Sequence, residues 1–304
     1  MADSEMPKAW LCGRVYSENH IGGQKMARTA RVKSTGAGTA YYHLMSRASN
    51  RRFLFSKSAA KDRLMDITRR AAEFSGVKLI AVTIMDNHFH ILCSVTRSSE
   101  PVPQEEIIRR VGVLKGEKAV EKLSEHLERL SAAGFTSMLE AELDGYRRRM
   151  GDISAFMKTL KELFAVWYNR EYRYCGSIWS GVFKSTMVES GKYLEYCRRY
   201  VMMNPVRAGI VTQIKAYRWV WSDISFENEV FLGFNPNGEG KVAQIGSGMI
   251  FGSLGFVVRW IGEMGFTAKR TVAHAVGDVG YSSHGWRLAK QDAEVMVSSR
   301  SGVA

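Results

Sequence analysis

Two apolar runs that meet at one tight turn restrict this chain more than any other feature. Val77–Asp86 is β-branched, Asp86–Asn87 carries turn-forming residues, and His88–Val95 resumes at once with a second apolar run. Strands this close in sequence pair antiparallel, because a parallel crossover needs a dozen or more residues. A lone hairpin is marginal in water, so more strands and a covering layer are required. Ala40–Arg47, rich in aromatic and apolar residues, supplies another strand. Between them Leu64, Ile67, Ala71 and Phe74 recur at helical spacing, with Ser58 as the expected N-cap and Gly76 as the stop. The pattern is that of an α+β protein.

The rest of the chain divides by composition. Ser98–Pro101 is a break, and residues 98–150 read as a helical insertion carrying Ile107, Val111, Leu123, Leu127 and Leu130. A stronger helix opens at Asp152, with Phe156, Leu160, Leu163, Phe164 and Trp167 expected on one face. Ile178–Val188 reads as a strand. Residues 191–203 read as a helix that ends near Asn204–Pro205, because proline disfavours helical geometry in the residue before it. Glycine becomes frequent after residue 230, ahead of an amphipathic segment at Phe251–Gly262. The expected organisation is a disordered extension at 1–25, one domain at 26–229 containing the insertion, and a small C-terminal extension at 230–304.

Charge narrows the partners. Lysine and arginine number 43 against 30 acidic residues, a formal net charge of +13. Such a surplus favours a polyanion, since neutralising phosphates releases counterions. No apolar run approaches the roughly 18–20 residues of a membrane span, and no signal peptide is expected, so the reading is a cytoplasmic, nucleoid-associated protein without a membrane partner. Cys12, Cys93, Cys175 and Cys197 form no C-x-x-C pair. A cysteine zinc site is therefore not expected, and each is read as a buried free thiol in a reducing compartment.

Two places carry chemistry. Side chains alternate along a strand, so His88 and His90 point to one face while Phe89 points to the other. Two imidazoles so placed can bind one divalent cation, or can be unrelated groups on a wet face. Tyr196, Tyr200 and Asn204 follow at intervals of four and share a helix face. A phenol is a poor nucleophile at its ordinary pKa of about 10 unless a cation polarises the phosphate it attacks. An asparagine amide oxygen is a suitable ligand for Mg²⁺ or Mn²⁺. The same residues would also serve as helix packing and a helix stop.

Four blocks, taken together, resemble one family. They are Tyr42–Arg47, Asn87–Leu92, Gly176–Lys184 and Tyr200–Gly209, in this order over roughly residues 38–225. The resemblance is to the single-tyrosine HUH transposases, in particular the REP-associated tyrosine transposases. It implies a ferredoxin-like antiparallel sheet with helices on one face. It implies that His88, His90 and Asn204 hold a divalent metal, Mg²⁺ or Mn²⁺. It further implies that Tyr200 attacks a DNA phosphate to give a 5′-phosphotyrosine and a free 3′-OH. Tyr200 is favoured over Tyr196 because it aligns with the motif. The expected partner is single-stranded or hairpin DNA, bound through Arg47, Trp179, Lys184 and Arg207, by a monomer or a homodimer. Trp179 also has a reading as a core residue, and Arg198 and Arg199 are expected on the solvated side of their helix. The competing readings are a non-catalytic DNA-binding protein, a metal phosphohydrolase that activates water, and a protein acting on RNA.

Overall fold

The computed structural model describes residues 33, 38–224, 241–245, 248–263, 276–280 and 287–288. The extension expected at 1–25 and much of the glycine-rich stretch after 230 lie outside the described residues. Two compact units are present, one from Ser34–Lys184 and Cys197–Asn228, the other containing Ser185–Tyr196 and the described residues from 241 onward.

The first unit is α+β and is built on an antiparallel sheet in the order β5-β2-β3-β1. Its strands are β1 (Gly38–Arg47), β2 (Val77–Ile84), β3 (His88–Arg97) and β5 (Val220–Ser222). The hairpin read from the sequence is present: Ile84 pairs with Phe89, and the Met85 N–H donates to the His88 carbonyl at 2.8 Å. Its turn is held from several sides. Phe55 N–H donates to the Asp86 carbonyl and Ala48 N–H to the Asn87 carbonyl, both at 2.8 Å. The buried Lys61 ammonium lies 2.6 Å from the Asp86 carboxylate and 4.3 Å from the Trp219 ring centroid. A buried ammonium needs such partners to offset its lost hydration. The turn that launches His88 is thereby clamped.

Helix α1 (Ser58–Ser75) packs on α5 (Ile153–Glu171) and on β2. It ends at Gly76 with φ +62°, a left-handed position that glycine adopts without penalty. Ser58 is not the N-cap expected of it: Lys57 precedes the helix in an extended conformation and no side chain caps it. Asp152 does cap α5, its carboxylate accepting from Ser154 and Ala155 N–H at 2.6 and 2.9 Å. The buried row of α5 advances by fours through Phe156, Leu160, Phe164 and Tyr168. Leu163 falls off that row and is exposed. Between α1 and α5 come α2 (Gln104–Lys115), α3 (Glu117–Ala132) and α4 (Thr136–Arg147), which bury Ile107, Val111, Leu123, Leu127 and Leu130.

The strand read at 178–188 is shorter, β4 (Lys184–Val188). Upstream, Trp179 makes only an isolated bridge to Ala48, and Gly181 at φ +121° turns the chain out of strand geometry. Helix α6 (Lys192–Met202) is followed by a separate turn, α7 (Asn204–Arg207), with Pro205 at its start, so Asn204 opens a new turn rather than ending the old helix. Arg198 is buried, against expectation, because α6 also buries Cys197, Val201 and Met202 on either side of it. Cys93 and Cys197 are buried thiols, whereas Cys175 is exposed.

In the second unit β4 pairs parallel with β7 (Gly248–Gly252). Antiparallel β6 (Lys241–Ile245), β8 (Val276–Gly280) and β9 (Arg287–Leu288) extend the ladder. The amphipathic segment forms α8 (Leu254–Glu263). Residues 185–196 thus share a unit with described residues of the segment 230–304. No helix among the described residues is long and apolar enough to cross a membrane.

Candidate active site

Strand register assembles the site. Arg47 lies opposite His88, and Met45 and Thr83 flank His90 from the two neighbouring strands. Residues directly opposite share a face, and His43 is two positions from Met45, so His43, Arg47, Thr83, His88 and His90 all project to one side. The other side is apolar. There Phe89 meets Trp179 at 5.8 Å between centroids, and Trp179 meets Phe55 and Phe164 at 5.5 and 5.6 Å.

Helix α6 seats on the histidine face. The Thr83 hydroxyl donates to the Val201 carbonyl at 2.7 Å. The adjacent Tyr200 ring then stands edge-on to both His90 and His43, each at 5.8 Å. The two residues that the sequence placed on separate elements, His90 and Tyr200, are neighbours within one chain. Tyr196 differs: it is exposed, and its ring meets Tyr193 at 6.4 Å. The exposed Arg207 guanidinium lies 5.3 Å from the Tyr200 centroid, in cation–π range.

Hydrogen bonds sort the imidazole nitrogens. His88 Nδ1 is 2.6 Å from the Asn87 side-chain oxygen, which can only accept, so Nδ1 carries the proton and Nε2 keeps its lone pair. His90 Nδ1 is 2.9 Å from His43 Nε2, and these two rings lie nearly coplanar, with centroids 5.1 Å apart and 10° between planes. His88 and His90 are themselves 5.1 Å apart. Burial pushes His88 and His43 down to about 4, with the Arg47 charge adding to the effect on His88 and Asp86 opposing it. Burial first, then the neighbouring His43, His88 and Arg47, holds His90 well below the usual histidine range. All three are neutral near pH 7, the form in which imidazole donates a lone pair to a metal.

Burial raises the Tyr200 phenol above its ordinary value, with Arg207 and Arg47 pulling the other way. Asn204 is buried beside it, its amide nitrogen donating to the Tyr200 and Val201 carbonyls at 2.8 and 3.3 Å. That leaves the amide oxygen as the atom able to serve a cation. Of the other residues singled out in the sequence, Arg47 is half-buried at the edge of the histidine face. Lys184 stands at the first position of β4. Trp179 lies on the opposite face from the histidines, its indole N–H donating to the Lys161 carbonyl at 2.9 Å, which is the environment of a packing residue. Three residues were not singled out in the sequence: His43, Asn87 and Thr83. His43 and Asn87 sit inside quoted blocks, but only strand register shows what they face.

Fold and site together define an antiparallel-sheet protein with a neutral histidine cluster faced by a helix-borne tyrosine. Residues 37–136 match the model of a family described as "Transposase IS200 like". The matched stretch carries His43, Arg47, His88 and His90 and stops short of Tyr200. Comparison with curated proteins finds no significant match. Among solved structures, a REP-associated tyrosine transposase bound to a REP hairpin is similar at 13% identity and a TM-score of 0.38, over 65% of this chain and 82% of that one. A structure described as a candidate transposase from Deinococcus radiodurans R1 is similar at 16% identity and a TM-score of 0.26, over 58% and 97%.

Proposed function

We propose that this chain is a metal-dependent endonuclease and strand transferase for single-stranded or hairpin DNA, working through a 5′-phosphotyrosine. The observation that carries the reading is the 5.8 Å approach of the Tyr200 ring to His90. The Tyr200 oxygen attacks the scissile phosphorus as the P–O3′ bond breaks. The 3′ oxygen leaves and takes a proton, and the phosphorus stays on tyrosine with the 5′ end. A second 3′-OH then attacks that phosphorus and releases the phenol. One phosphodiester is lost and one regained, so joining needs no external energy.

The donor set fits a divalent cation such as Mg²⁺ or Mn²⁺. His88 and His90 are neutral, and Asn204 offers an oxygen. Among the described residues no cluster of three or more His, Cys, Asp or Glu is placed to hold a metal. A cation held by His88 and His90 would take its further ligands from amide, phosphate or water oxygen. Such a cation supplies Lewis-acid polarisation of the scissile phosphate. Arg47 and Arg207 neutralise phosphate beside Tyr200 and favour the phenolate. Lys184 is assigned to the same strand-binding track, whereas the surroundings of Trp179 support packing.

The test mixes the protein with a labelled hairpin oligonucleotide and Mn²⁺. A protein–DNA adduct that survives denaturant, is lost in Tyr200→Phe and persists in Tyr196→Phe supports the proposal. Binding without an adduct indicates a non-catalytic module. Cleavage that persists in Tyr200→Phe with free 5′-phosphate ends indicates a hydrolase, and preference for a matched RNA indicates an RNA-processing protein.

A further inference from the structure

The buried imidazole of His43 has no part in the attack just described. It is hydrogen-bonded to His90 at 2.9 Å, nearly coplanar with it, and edge-on to Tyr200. We infer that His43 is a positioning residue that fixes the tautomer and ring plane of His90, so that His90 presents Nε2 to a divalent cation. This rests on the reading of His90 as a ligand.

Between the two facing nitrogens there is room for one proton. If it sat on His43 Nε2, His90 Nδ1 would accept, the His90 proton would move to Nε2, and that nitrogen could hold no cation. With the proton on His90 Nδ1, His43 Nε2 accepts and His90 Nε2 keeps its lone pair. The neighbouring ligand has the same arrangement by a different partner, since His88 Nδ1–H donates to the Asn87 oxygen at 2.6 Å. Metal-bound histidines commonly donate their second N–H to a carboxylate, carbonyl or water that orients the ring. Here an amide oxygen serves one histidine and an imidazole serves the other. Ring orientation adds a second restraint: the two buried rings lie nearly coplanar, with 10° between planes, so turning His90 breaks its hydrogen bond to His43. His43 and His90 also form the two walls against which Tyr200 stands, so the contact that orders the ligand also borders the phenol.

Two readouts that need no DNA test this in the full chain. Nitrogen NMR of metal-free protein should show the His90 proton on Nδ1 in the wild type and redistributed in His43→Phe. Titration with Mn²⁺ should show affinity lowered by about 10–100-fold in His43→Phe, the usual loss when such a partner is removed. His43→Gln, whose side-chain oxygen can accept from Nδ1, should restore most of that affinity. A wild-type proton on Nε2 overturns the inference, as does a wild type that binds no Mn²⁺ or a His43→Phe variant with unchanged tautomer and affinity. Failure of DNA cleavage with these results intact would remove the transferase reading and leave the His43 assignment standing.

Discussion

The Thr83 hydroxyl and the Val201 carbonyl, 2.7 Å apart and buried, join the strand beside His90 to the helix that carries Tyr200. The residue that pairs with His90 across the ladder is therefore also the one that fixes the height of the tyrosine above it. Thr83→Val keeps the shape and removes the donor. We expect a stability loss of about 1 kcal/mol by urea denaturation. Adduct formation should slow by about tenfold, because small misplacements of a reacting group are costly. A rate equal to wild type would show that the helix is seated by other contacts.

Stability of the metal-free protein should fall in acid. The folded-state values of His43 and His88 lie near 4, below the ordinary histidine value, and His90 is lower still. The unfolded chain thus binds more protons once the pH drops below about 6.5. The contribution is fully present above that pH and is lost progressively toward about 4. Each group adds up to about 1.4 kcal/mol per pH unit across that window. Urea midpoints measured at pH 7, 6 and 5 should decline increasingly steeply, and a flat profile would contradict the buried neutral cluster.

Trp179→Ala separates packing from DNA stacking. As a member of the cluster with Phe55, Phe89 and Phe164, Trp179 should cost about 3–5 kcal/mol on truncation. An exposed stacking platform would lose DNA affinity with little change in stability. Thermal denaturation and oligonucleotide binding, read side by side, decide between them.

Asn204→Asp exchanges two donated hydrogen bonds for a carboxylate facing the Tyr200 and Val201 carbonyls. Burial makes that unfavourable, and a loss of about 1–3 kcal/mol is expected in chemical denaturation, although a carboxylate is the stronger cation ligand. Enhanced stability without metal would show that the amide nitrogen is not engaged as described.

Arg207→Ala should weaken single-strand binding similarly for every sequence. It should also lower the slope of log affinity against log salt by about 0.7, one phosphate contact on a single strand. An unchanged slope would place Arg207 off the nucleic-acid path, leaving only its stacking on Tyr200.

Much of this is legible in the sequence. The hairpin at 77–95, the helix opening at Asp152, the stop at Gly76 and the shared direction of His88 and His90 follow from local rules of turns, helix periodicity and alternation. What stayed hidden depends on long-range register. His43 becomes a partner of His90 only because β1 lies beside β3 in one particular alignment, and that alignment is not encoded in either strand alone. Arg198 looks solvated from its charge, yet it is enclosed by the wide buried face of α6. Gly181 looks compatible with a strand until its backbone turns the other way.

Strand β3 alternates between an apolar wall and a histidine-bearing one, with Phe89 facing Trp179 while His90 faces Tyr200 and His88 projects to the same side. Consecutive codons therefore answer to different pressures. Replacements at Phe89 will be tolerated or rejected by how well the protein accumulates in the cell, and replacements at His88 or His90 by whether a well-accumulated protein still works. A saturation library over this one segment would sort into two interleaved classes with a period of two.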